Sequence, residues 1–104
     1  MLITVAYTVR DASRVEFQAA MHSLGSSRRR TGAFRWRLYQ SGEEEDVQLE
    51  TFMVPSWSEY GRQRTQRSTG RDREMEARAL AAADGPPTWH HYFPATAAPA
   101  AGPP

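Results

Sequence analysis

Cysteine and lysine are both absent from the 104 residues, and each absence removes chemistry. Without a thiol there is no disulfide, thiolate nucleophile, iron–sulfur ligation or cysteine-held zinc. Without an ammonium side chain there is no Schiff-base nucleophile, no lysine general base and no Walker-type phosphate lysine. The thirteen basic residues are all arginine, and against twelve acidic ones they leave a net charge of +1. No global field therefore draws the chain to nucleic acid or anionic lipid. No apolar run approaches the roughly 18 to 20 residues that span a bilayer. Met1–Val9 lacks the basic start and cleavable end of a signal peptide. A cytoplasmic protein with neither a membrane nor a nucleic-acid partner is expected. GxGxxG, P-loop and GxSxG motifs are missing, which leaves dinucleotide, triphosphate and serine-hydrolase readings without support. HxH, HxxxH and HExxH spacings are missing too, so no metal or other cofactor is expected.

What is present is the balance of a foldable domain: 39% hydrophobic, 11% aromatic and 24% charged residues, in a length that allows one core. Leu2–Val9 alternates, with Ile3, Val5, Tyr7 and Val9 on one side, and predicts a strand. Ser13 and Glu16 fit a capping box ahead of Phe17, Met21 and Leu24, spaced i, i+4, i+7, which predicts an amphipathic helix ending near Gly25. Ser26–Arg30 then runs basic into a turn at Thr31-Gly32, where Arg28-Arg29-Arg30 would suit a helix dipole better than a phosphate patch. Phe34, Trp36 and Leu38 alternate with Arg35, Arg37 and Tyr39 in a second strand, and Val47–Val54 forms a third beyond an acidic turn. Ser56 can cap a helix with Trp57, Tyr60, Gly61 and Arg64 on one face. A further helix starts near Thr69, stops at Asp84-Gly85-Pro86-Pro87, and is followed by a strand over Thr88–Phe93.

Strand, helix, strand, strand, helix, strand is the split βαβ order of a ferredoxin-like α+β domain, here over 1–94. Residues 95–104 are only Ala, Thr, Pro and Gly and read as a disordered tail. Helices cover one face of such a sheet; the other carries apolar and aromatic atoms, so a homodimer, an α+β barrel of two facing sheets, is expected.

Among candidate functional residues, His22 lies roughly 140° around its helix from Phe17, off the apolar stripe. His90 and His91 are strand neighbours, so one faces inwards and they cannot share a metal. The inward one is either a half-buried structural histidine or a pocket acid or base. Residues 42–59 hold six acidic side chains and no basic one, which argues against a nucleic-acid groove. Arg64, on the face of Trp57 and Tyr60, either snorkels or addresses an anionic or phenolate-like ligand. Three tryptophans in so small a domain suit a flat aromatic ligand.

The runs Gly32-Ala33-Phe34-Arg35-Trp36 and Glu50-Thr51-Phe52-Met53-Val54-Pro55-Ser56-Trp57-Ser58-Glu59 carry a family resemblance. Arg62-Gln63, Thr69, Asp72-Arg73, Glu76, Arg78, Ala79-Leu80, Pro86-Pro87 and His91 extend it. Over about residues 2–93 the chain resembles the dimeric α+β barrel domain at the C-terminus of enterobactin-exporter-like major facilitator transporters. That domain is a relative of the antibiotic biosynthesis monooxygenases. The transporter's membrane helices are not in this sequence, so a domain acting without transport is expected. Where the family pattern reads Glu-His-Leu-Arg-Gln-His, this chain reads Glu59-Tyr60-Gly61-Arg62-Gln63-Arg64. The loss of both histidines argues against histidine chemistry or haem ligation there.

The resemblance implies a small-molecule pocket between sheet and helices. It also implies cofactor-free oxygenation or proton-transfer cyclisation of an aromatic, polyketide-like substrate in natural-product biosynthesis. The alternative it implies is a non-catalytic binding module. Tyr60, Arg64 and His91 are the expected catalytic groups, with histidine the proton acceptor because its ordinary pKa lies near neutrality. Trp36, Phe52, Trp57 and Trp89 are the expected substrate contacts.

Overall fold

The computed structural model describes residues 1–95. Four strands, β1 (Leu2–Thr8), β2 (Phe34–Gln40), β3 (Val47–Met53) and β4 (Thr88–Tyr92), form an antiparallel sheet in the order β2-β3-β1-β4. Helix α1 (Arg14–Arg30) connects β1 to β2, while α2 (Trp57–Arg62), a π-helical turn (Gln63–Arg67) and α3 (Gly70–Ala82) connect β3 to β4. This is the expected ferredoxin-like α+β topology. The tail expected over 95–104 lies outside the described residues beyond Ala95.

The alternation of β1 settles which face is covered: Ile3, Val5 and Tyr7 are buried with Phe17, Met21 and Leu24 of α1, and Phe17 meets the Tyr7 ring edge-on at 5.1 Å. Register carries that face across the sheet. Ile3 pairs with Phe52 and His91, Val5 with Glu50 and Trp89, and Tyr7 with Gln48. The opposite face carries Leu2, Leu49, Met53, Phe34, Tyr39 and Tyr92, and among the described residues no helix covers it.

The covered face has a charged centre. Glu50 is fully buried, and its carboxylate accepts from Tyr7 Oη at 2.8 Å, Trp36 Nε1 at 2.8 Å, and Arg28 Nε and Nη2 at 2.9 and 3.2 Å. Arg28 reaches on to Glu76 Oε2 at 3.2 Å. Its ring neighbours are Phe52 and Trp89, whose centroids lie 5.0 and 5.3 Å from the guanidinium carbon. Burial works against the Arg28 charge, but the adjacent Glu50 carboxylate outweighs it and holds the pKa above the usual arginine value. Burial first, and then Glu50, push the Tyr7 phenol well above its ordinary range, so Tyr7 stays a donor.

Three local expectations are corrected. Helix α1 does not end near Gly25 but runs on to Arg30. Gly25 sits inside it because the Trp36 indole packs against the bare backbone; a Cβ there would stand 2.8 Å from Trp36 Cδ2 and Cε2. Arg28, Arg29 and Arg30 stand in the last turn of α1, as the dipole reading expects, and Arg28 is in addition an inward-facing core residue. The Ser13–Glu16 capping box does not form: a 3₁₀ turn over Asp11–Ser13 feeds straight into α1, and the Ser13 side chain makes no cap bond. Phe34 does not share a face with Trp36 and Leu38, because the ladder to β3 shifts by one residue between Phe34 and Arg37, with Arg35 at φ 54°. Phe34 therefore pairs with Met53 on the open face, whereas Leu38 pairs with Glu50 on the covered one.

The second helical layer is held by Asp72. Its carboxylate accepts from Ser27 Oγ at 2.6 Å, from Arg30, and from Thr69 N at 2.8 Å, while Thr69 Oγ1 caps Asp72 N at 3.3 Å. Burial opposes ionisation here, but the donors, Arg30 foremost, outweigh it and hold this carboxyl below the usual range.

The Gly25 contact reverses a familiar sign. Gly→Ala inside a helix ordinarily stabilises by about 1 kcal/mol. Gly25→Ala is expected to destabilise by about 1–3 kcal/mol instead, because the indole must move. Urea unfolding checks this; a stabilised variant would refute the close approach.

Candidate functional site

Pro55 ends β3, and Ser56 opens α2 with its Oγ accepting from Glu59 N at 3.1 Å. Within α2 and the turn after it, the i, i+4 spacing sets Tyr60 and Arg64 on one face, with Arg64 Nη1 3.4 Å from Tyr60 Oη. Opposite stands β4, where His91 pairs with Ile3 and is therefore on the helix side, and His90 pairs with Thr4 on the other. The alternative left by the sequence is thus resolved for His91. Its ring lies 4.8 Å from that of Trp57 and 5.7 Å from that of Phe93. The Arg64 guanidinium carbon lies 5.0 Å from the Trp89 ring centroid and 5.7 Å from that of Tyr60.

These groups surround a recess of about 320 Å³ at the β4 edge, lined by Ile3, Trp57, Tyr60, Arg64, Trp89, His90 and His91. The walls are largely aromatic, and the polar atoms are a phenol, a guanidinium and imidazole nitrogens. Such a set can stack on a flat ligand, donate to one of its oxygens and accept a proton. Trp57 is 54% exposed, so the recess opens to solvent on that side.

Five of the seven residues singled out in the sequence meet here: Tyr60, Arg64, His91, Trp57 and Trp89. The other two stand elsewhere. Trp36 is buried beneath Gly25 and donates to Glu50, and Phe52 is fully buried beside Arg28, so neither lines the recess. The reason is the inward register of the two strands, which delivers both rings to the core around Glu50.

The sequence reading missed four residues that hold the elements around the recess. Arg28 and Glu50 form the ion pair behind Trp89. Gln63 ties the π-helical turn to α1, its Nε2 donating to Arg28 O at 3.2 Å and to Thr31 Oγ1 at 3.0 Å. A signal for Arg28 was available, since Phe17, Met21, Leu24 and Arg28 continue one i, i+4, i+7, i+11 stripe. Glu59 clamps the same turn from outside by accepting from Arg67 Nη2 at 2.7 Å and Arg62 Nε at 3.0 Å. Those two bonds, Arg67's the larger, lower its pKa. Among the described residues, no group of three or more His, Asp or Glu is placed to hold a metal ion.

The topology defines the class, a ferredoxin-like α+β domain, and solved structures of antibiotic biosynthesis monooxygenase-like proteins share that fold. A candidate antibiotic biosynthesis monooxygenase from Caulobacter crescentus superimposes with a TM-score of 0.72 at 18% identity, covering 86% of this chain and 83% of that one. One from Bordetella bronchiseptica gives 0.75 at 14%, covering 91% and 96%. SnoaB, a cofactor-independent oxygenase from Streptomyces nogalater solved as a single-site variant, gives 0.71 at 13%, covering 94% and 95%. At these identities the likeness is one of fold. No curated protein matches the chain in sequence. The chain belongs to the transmembrane secretion effector family, whose profile matches residues 1–99. Even so, no helix among the described residues is long and apolar enough to cross a membrane.

Proposed function

We propose that this chain is a small-molecule tailoring enzyme that oxygenates an aromatic, polyketide-like substrate without a cofactor. The observation that carries the reading is the convergence of Tyr60, Arg64 and His91 on one aromatic-walled recess. The substrate ring stacks on Trp89 and Trp57. Arg64 and Tyr60 donate to its oxygen and favour the enolate or phenolate form, while His91 takes the proton released. The electrons of that carbanion reduce dioxygen as a C–O bond forms. Protonation gives a hydroperoxide, and loss of water leaves a quinone carbonyl. The same groups serve a cyclisation by proton transfer when the carbanion meets an electrophilic carbon of the substrate itself. The second reading is a non-catalytic ligand-binding module akin to the C-terminal domain of enterobactin-exporter-like transporters, favoured by the family match across residues 1–99.

An oxygen electrode separates these readings, with a hydroxyanthrone as substrate and quinone absorbance read in parallel. Oxygenation consumes one dioxygen per quinone formed. Removing one oxyanion donor lowers such a rate about 100- to 1000-fold, so Arg64→Ala and Tyr60→Phe are expected to lose about that much with the fold intact. Ligand binding without oxygen uptake or ring closure would favour the binding module, and near-normal turnover in both variants would move the site elsewhere.

We also propose that the chain works as a homodimer with the uncovered sheet faces together. The support is the apolar and aromatic content of that face, including Phe34, Tyr39 and Tyr92, which are 43, 52 and 50% exposed in the single chain. Sedimentation equilibrium at micromolar concentration should return twice the chain mass, and Leu49→Arg, at the middle of that face, should return the monomer. A native monomer would contradict the pairing.

A further inference from the structure

Behind the Tyr60–Arg64 wall lies a second, smaller space of about 150 Å³ between α1, the π-helical turn and α3. Its polar groups are mostly paired: Arg28 with Glu50 and Glu76, and Asp72 with Ser27, Arg30 and Thr69. Gln63 is the buried exception: it is 5% exposed, it lines this space, and among the described residues its Oε1 has no hydrogen-bond partner. The orientation of the amide is fixed chemically. The Arg28 carbonyl can only accept, so the nitrogen end of Gln63 must face it, and the oxygen end is left for the cavity.

The vacant acceptor requires a donor, and the charges around it restrict which kind. A fully deprotonated anion has no proton to give Oε1, and any anion would stand beside the Asp72 and Glu76 carboxylates. An ammonium would stand among Arg28, Arg64 and Arg73. A neutral hydroxyl donates to Oε1 while accepting from a neighbouring guanidinium or phenol. Tyr60 and Arg64 line this space and the aromatic recess alike, so the two adjoin.

We propose that the polar space is a subsite for an alcohol hydroxyl carried by the aromatic ligand, with Gln63 Oε1 as its acceptor. The assignment rests on the aromatic recess being the ligand site, and the test keeps the two apart. Tryptophan-emission quenching is titrated with two planar hydroxyanthraquinones, chrysophanol and aloe-emodin, which differ only in a methyl against a hydroxymethyl group. Aloe-emodin is expected to bind about 3- to 10-fold tighter to the native protein, the worth of one neutral hydrogen bond, and Gln63→Met is expected to abolish that preference. Equal affinities, or a preference that survives Gln63→Met, would overturn the subsite and leave the aromatic recess standing. Quenching by neither probe would overturn both. Should Gln63→Met fail to fold, the native comparison decides: a preference for the hydroxymethyl supports the subsite and equality removes it.

Discussion

A carboxylate with no access to water must be surrounded by donors, and in this domain that requirement falls on Glu50. Tyr7 from β1, Trp36 from β2 and Arg28 from α1 all turn to it, so three elements that flank β3 are tied to a single side chain. A lone buried charge of this kind is destabilising by several kcal/mol, and only a full set of partners offsets it. The constraint explains details that look unrelated. The ladder irregularity in β2 accompanies the inward turn of the Trp36 indole, and Gly25 leaves room for that indole against α1. Arg28 lies on an otherwise apolar helical stripe because its partner waits on the facing strand.

The same arginine links core to site by two routes. Its guanidinium lies against Trp89, whose ring also receives Arg64. Its backbone carbonyl receives Gln63 and so anchors the π-helical turn that presents Arg64. Helix α2 has six residues, too few to be stable alone, so its position is supplied by such tethers: Gln63 and Arg67 to Thr31, and Glu59 to Arg62 and Arg67. The recess is thus shaped by an ionic core on one side and a strapped short helix on the other. A π-helical turn after α2 also changes the residue spacing at the point where Gln63 must face inwards and Arg64 must face the recess.

Most of the architecture was legible because it depends on period. The alternation in Leu2–Thr8 and the stripe of Phe17, Met21 and Leu24 each name their buried face directly, whereas in Val47–Met53 the apolar side, Val47, Leu49 and Met53, is the open one and Gln48, Glu50 and Phe52 are buried. The i, i+4 pair Tyr60 and Arg64 was legible for the same reason, and so was the fact that His90 and His91 diverge. What period could not carry was the exception to it. A bulge shifts one side of a strand without a signature that separates Phe34 from Trp36. A glycine inside a helix reads as its end unless the ring that packs on it is known. Glu50 and Arg28 look solvated because charge in a sequence is solvated by default, and only the pairing of α1 with β3 brings them together. Trp36 and Phe52 were assigned to a ligand on aromatic character alone, which a core around a buried ion pair uses equally well.

The central claim is that the Arg28–Glu50 pair organises the domain, and a double-mutant cycle measured by urea unfolding tests it most directly. Glu50→Leu leaves the buried Arg28 with Glu76 alone, and Arg28→Met leaves the Glu50 carboxylate with only Tyr7 and Trp36; each should lose about 3–5 kcal/mol, while the double replacement removes both charges and should lose clearly less than the sum. Strictly additive losses, or single replacements that change stability by less than about 1 kcal/mol, would show that the pair is incidental and that the fold is held elsewhere.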